Sequence, residues 1–137
     1  MAGGKIFFEE ASLWDDGKYS TALILVRKIF LDENPDLIRE FLKIHVRLTR
    51  WIQDDPFGAK KAVQAEIKQV TGKELPDQVF EAAFSRILFT TEPLVSSIHK
   101  QAKAAYEAGF LKKEPDLTDL FSLSLLEDVL LEAGAAT

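Results

Sequence analysis

Ser20-Thr21-Ala22-Leu23-Ile24-Leu25-Val26-Arg27 is the segment on which the fold class turns. From Ala22 to Val26 it has no polar face. A strand apolar on both sides is one buried on both sides, as in a sheet covered by helices. Just upstream, Trp14-Asp15-Asp16-Gly17-Lys18-Tyr19 carries the Asp-Gly signature of a tight turn. Before that, Ile6, Phe7 and Phe8 make Lys5 to Glu9 read as a second strand. The short apolar stretch Ile87 to Phe89 is a third candidate. The expectation is a helix-rich α/β fold with two or three strands, those at about 5–9 and 20–27 being the main ones.

Downstream of Arg27 the period changes from strand to helix. Asn34-Pro35-Asp36 has the grammar of a helix start: Asn can cap, Pro suits the first helical position and Asp favours the positive helix end. The helix behind it places Leu37, Ile38, Phe41, Leu42, Ile44, Leu48, Trp51 and Ile52 on a broad apolar face. Asp55-Pro56 repeats the cap and opens a helix reaching about Val70, where Gly72 offers a left-handed end. Pro76-Asp77 opens a third, with Val79, Phe80, Ala83, Phe84 and Ile87 along one side. A fourth runs from about Leu94 to Ala108 and stops at Gly109, and Leu123 to Leu131 forms a last, strongly apolar one. About five helices thus lie between residues 35 and 131. The Pro-Asp openings recur without a convincing internal repeat behind them.

Two or three strands do not make a doubly covered sheet, because buried parallel strands come in larger sheets. The strand at 20–27 therefore needs neighbours that this sequence does not supply. Three arrangements meet that need: the C-terminal part of a larger α/β protein, a self-contained small domain, or a dimer that completes the sheet. The chain of 137 residues is 47% apolar, which is enough for a core. Its net charge of −5 and scattered basic residues argue against nucleic acid as a partner. Without cysteine there are no disulfides, no thiolate catalysis and no cysteine-held zinc. No leader is visible behind Met1, and the apolar run Ala22 to Val26 is far too short to span a membrane.

No catalytic constellation emerges. His45 and His99 lack a partner at metal-ligand spacing, so no metal site is expected. The acid pairs Asp15-Asp16 and Asp54-Asp55 are explained by turn and capping chemistry. No phosphate loop and no nucleophile elbow is present, the Ser96-Ser97 pair included. What remains are strand ends and the loops beside them, where open α/β sheets take ligands. Trp14, Asp15 and Tyr19 surround the turn, Ser20 and Thr21 begin the strand, and Thr91 follows the third apolar stretch. These six are the candidate ligand-binding residues, set against the plainer readings of Trp14 as a hinge staple and of the threonines at 90 and 91 as helix caps.

Several segments together resemble one family. Asp15-Asp16-Gly17-Lys18-Tyr19-Ser20-Thr21 with its apolar strand looks like the segment that re-enters the first lobe of nitrate/sulfonate/taurine-type periplasmic binding proteins. Phe30-Leu31-Asp32-Glu33-Asn34-Pro35-Asp36-Leu37-Ile38-Arg39 is similar to that family's Asn-Pro segment and amphipathic helix. Thr71-Gly72-Lys73-Glu74-Leu75-Pro76 and Ala105-Tyr106-Glu107-Ala108-Gly109-Phe110-Leu111 also fit, as does Pro115-Asp116-Leu117-Thr118 with the Leu-rich helix behind it. The likeness covers nearly the whole chain and the C-terminal part of a typical member. Each piece is generic; their order and spacing are more specific.

The resemblance implies the solute-binding component of an ABC importer, a two-lobed receptor outside the cytoplasm that is not an enzyme and needs no cofactor. It would close on a small oxyanion such as a sulfonate, taurine or nitrate and hand it to permease subunits at the membrane. Backbone N–H groups and a few hydroxyl or amide side chains suit such a ligand. The early strands and most of the second lobe have no counterpart here. Weak ligand binding by this chain alone, and exposure or self-association through Ala22 to Val26, are therefore expected. The competing reading is a helical protein-interaction domain that docks a partner through Trp14, Phe30 and Trp51.

Overall fold

A computed structural model describes residues 4–134. Among them there is no strand: the chain is all-helical, and the expected α/β fold with two or three strands is corrected to an α fold. The helices are α1 (Lys28–Glu33), α2 (Pro35–Asp54), α3 (Pro56–Thr71), α4 (Asp77–Phe84), α5 (Val95–Glu107) and α6 (Ser124–Glu132). Two 3-10 turns, Glu10–Leu13 and Asp15–Gly17, precede them.

The three expected strands fail for one physical reason. A helix satisfies its backbone donors and acceptors within the segment, whereas a strand needs a neighbour for every second N–H and C=O. Lys5 to Glu9, Ala22 to Arg27 and Ile87 to Phe89 are extended or irregular and pair with nothing as a ladder. Their apolar side chains stand in the open: Phe7 is 96% exposed, Leu25 78% and Leu88 59%. The Asp-Gly turn does form. Asp16 and Gly17 have φ of 52° and 68°, and Lys18 N–H donates to the Asp15 carbonyl at 3.1 Å. Positive φ at both central residues is the hairpin-type turn geometry, yet the turn here joins no pair of strands.

The helices follow their local signals closely. Pro35 and Pro56 stand at the starts of α2 and α3. Between those helices Asp55 leaves helical geometry ahead of proline, as steric clash with the ring requires. Its carboxylate accepts from Gly58 N–H at 2.9 Å and caps α3. Gly72 ends α3 in the left-handed region with φ 68°. Asn34 differs from expectation: its side-chain amide donates back to the Phe30 carbonyl at 3.1 Å and does not cap α2. Thr90 and Thr91 do not cap α5 either, since that helix begins at Val95 and its N-cap position is Leu94, with φ 50°. Helix α1 was not foreseen; Lys28 and Asp32, one turn apart and paired at 2.9 Å, are the signal that marks it.

The chain divides into two compact units. Met1–Arg27 with Glu92–Leu123 forms the first, and Lys28–Thr91 with Ser124–Thr137 the second. In the second unit α2 packs on α1, α3 and α6. Val46 of α2 and Val129 of α6 are its most buried large side chains, at 2% and 1% exposure. Arg39 reaches from α2 to Glu132 and lies 3.6 Å from Asp128 on α6. Phe80 and Phe84 of α4 extend the apolar contacts to Phe89, with ring centroids 5.7 and 5.1 Å apart in succession.

Candidate functional site

The first unit brings most of the predicted residues together around α5. Ser97 and Gln101 lie one turn apart on that helix and so share a face. Ser97 is buried. Its Oγ accepts from the Ser20 backbone N–H at 2.9 Å and from Gln101 Nε2 at 3.1 Å. Gln101 Nε2 also donates to the Ser20 carbonyl at 2.8 Å. Ser20 Oγ in turn donates to the Pro93 carbonyl at 2.8 Å, just ahead of the helix. The start of the apolar segment is thus tied to one face and one end of α5 by three hydrogen bonds, with the Gln101–Ser97 bond inside α5 linking two of them.

Beside this network the ring of Trp14 stacks on Tyr19, centroids 5.6 Å apart and planes at 17°. Trp14 Nε1 donates to Glu10 at 3.1 Å. Asp15 is exposed and ion-paired with Lys100, which is also on α5. Thr21 is exposed. The sequence therefore placed Trp14, Asp15, Tyr19 and Ser20 in one neighbourhood with Thr21 adjacent in the chain. Thr91 belongs to the second unit and is not among them.

Ser97, Lys100, Gln101 and the Pro93 carbonyl were missed. Their signal was available: Ser97 and Gln101 are polar at helical spacing in an otherwise apolar stripe of Ile98, Ala102 and Ala105. Read only as a possible nucleophile, the Ser96-Ser97 pair was set aside. Both non-glycine residues with positive φ among the described residues, Asp16 and Leu94, fall in this unit. Such conformations cost of order 1–2 kcal/mol and persist where the surroundings hold them in place. Leu94 sits between the Pro93 carbonyl and the first turn of α5, where its own carbonyl accepts from Ser97 N–H at 2.9 Å.

The chemical capacity of the cluster is donation of hydrogen bonds. Ser97 Oγ accepts two bonds and retains its own proton, and the Tyr19 and Thr21 hydroxyls make no bond among the described residues. No group of three or more His, Asp or Glu able to hold a metal occurs among those residues. His99 lies against Phe121, ring centroids 6.0 Å apart, and His45 against Phe41 at 6.4 Å. No described helix is long and apolar enough to cross a membrane.

Compared with family models, with curated proteins and with solved structures, the chain has no match.

Proposed function

We propose that this chain is part of the solute-binding component of an ABC importer, acting outside the cytoplasm, without catalysis, on a small oxyanion of the sulfonate, taurine or nitrate class. The observation that carries this reading is the convergence of Ser20, Ser97 and Gln101 beside the Trp14–Tyr19 stack. A hydroxyl-rich cluster with an aromatic wall, its nearby charges engaged in the Asp15–Lys100 pair and the Glu10–Trp14 bond, suits an anion that must be held and released, since neutral donors bind oxyanions less tightly than a bidentate guanidinium does. The proposal concerns that cluster and needs no sheet within this chain. The open apolar segment Leu23 to Val26 supports a further element: additional polypeptide covers this surface in the working receptor, and permease subunits are its partners at the membrane.

A thermal-shift series on protein expressed from the full reading frame tests the reading, with alkanesulfonates, taurine, nitrate, bicarbonate and pyrimidines as ligands. Ligand at about a hundredfold excess over its Kd stabilises by ~2.7 kcal/mol. A shift with one oxyanion class, lost on Ser97→Ala, is the expected result. Well-folded protein that responds to none of them excludes the receptor reading.

One observation favours a second reading, a helical domain that docks a protein partner. Phe30 and Trp51, both 38% exposed, add to the apolar surface of the second unit. Under that reading the same ligands leave the melting point unchanged.

A further inference from the structure

The second unit contains a groove that none of the foregoing uses. It has a volume of about 550 Å³ and lies along α2 where α6 ends. That size falls within the ~300–1,000 Å³ of small-molecule sites. Val46 and Val129, both nearly inaccessible, form its floor with Trp51 at one side. Above the floor stand Lys43, Arg47 and Arg50, spaced four and three residues apart and therefore on one face of α2.

The charges along this face are unequally satisfied. Lys43 is paired with Glu40 at 2.8 Å, and Arg50 donates to the Ala133 carbonyl at 2.6 Å. Of the two carboxylates at the groove, Glu132 is held by Arg39, and Asp54 stands one turn beyond Arg50 on the same face of α2. Arg47 has no hydrogen bond or ion pair among the described residues. Like charges one turn apart on a helix repel, so Arg47, set between Lys43 and Arg50, is the cation of this row left with an unsatisfied demand for an anion. The apolar floor directly beneath them asks at the same time for a hydrocarbon body.

We infer that this groove binds a small amphipathic anion, an alkyl or aryl carboxylate or sulfonate. Its head group lies on Arg47, flanked by Lys43 and Arg50, and its apolar part on Val46, Val129 and Trp51. Guanidinium suits both head groups, since it presents two parallel N–H donors to paired oxygens. The site draws on residues of the second unit only and does not depend on the proposed function of the first.

The test is a titration of the isotope-labelled chain with hexanesulfonate, hexanoate and, as the uncharged analogue, hexanol, followed by amide and indole NMR shifts. Saturable shifts in residues 43–54 and 129–133 and in the Trp51 indole are expected with both anions. Hexanol should bind at least ~10-fold more weakly, as should either anion to Arg47→Gln, because a charge-assisted hydrogen bond is lost in each case. Arg47 is exposed, so its substitution leaves the core intact. Equal affinity of hexanol and the anions, or an Arg47→Gln variant that binds as the parent does, overturns the inference. So do shifts confined to Ser20, Ser97 and Gln101, which would support the first-unit reading instead.

Discussion

At Asp55 one carboxylate caps a helix in a space that only a glycine three residues on leaves open. It caps α3 through Gly58 N–H, and a Cβ placed on Gly58 would meet its Oδ2 at 2.1 Å. Glycine within a helix normally costs ~1 kcal/mol relative to alanine. Here Gly58→Ala displaces the cap, itself worth ~1 kcal/mol, so the two effects roughly cancel. In an Asp55→Ala background there is no cap to displace, and Gly58→Ala then stabilises by about 1 kcal/mol. A denaturant double-mutant cycle reads that coupling; strictly additive effects would refute it. Asp116 offers a second residue-level test. The Thr118 hydroxyl, at 2.6 Å, and then the Thr118 backbone N–H, at 3.0 Å, donate to its carboxylate and hold its pKa below the ordinary value. A lowered folded pKa stabilises above the unfolded value and loses that contribution as pH falls through the folded one. Thr118→Val removes the hydroxyl donor, and NMR titration should show the Asp116 pKa rising toward that of a free aspartate.

Among the elements, α2 is the organising one, since α1, α3 and α6 all pack on it. Its contact with α6 is carried by Val46 and Val129, both with almost no exposure. Val129→Ala removes about two methylene equivalents and leaves a small cavity, which should cost about 2 kcal/mol in chemical denaturation. Phe57→Ala on α3 should cost well under 1 kcal/mol, because Phe57 is 67% exposed. Equal losses for the two would mean that α2 and α6 do not pack as described. The guanidinium of Arg39, bonded to Glu132 on α6, has its pKa raised by that bond first, with Asp128 adding to it.

For the molecule as a whole, the dominant feature is apolar surface left in water. Leu23, Ile24, Leu25 and Val26 are all exposed, and their backbone forms no ladder. An extended apolar segment with open N–H and C=O groups is a template for pairing with another chain. The isolated chain should therefore bind an apolar dye and self-associate in sedimentation, with both effects reduced by Leu25→Asp. That substitution should change stability by no more than ~0.5 kcal/mol, since the side chain already faces solvent. A clean monomer that binds no dye would contradict the exposed conformation of residues 22–26.

What the sequence determined by itself is what depends on neighbours in the chain. Proline at 35 and 56, the Asp55 cap, Gly72 and the Asp16-Gly17 turn act within a few residues, and the helices and turn lie where those signals place them. The grouping of Trp14, Asp15, Tyr19 and Ser20 was legible for the same reason, all four lying within seven residues. Tertiary structure decided two other things. It decided that the segment at 20–27 is no strand, because a strand exists only with a partner and helix-forming neighbours supply none. It also decided that Ser97 and Gln101, some eighty residues away along the chain, complete the polar network around Ser20. Local signals specify helices because a helix bonds to itself; strands and composite sites require contacts between distant residues, and no window of sequence contains those.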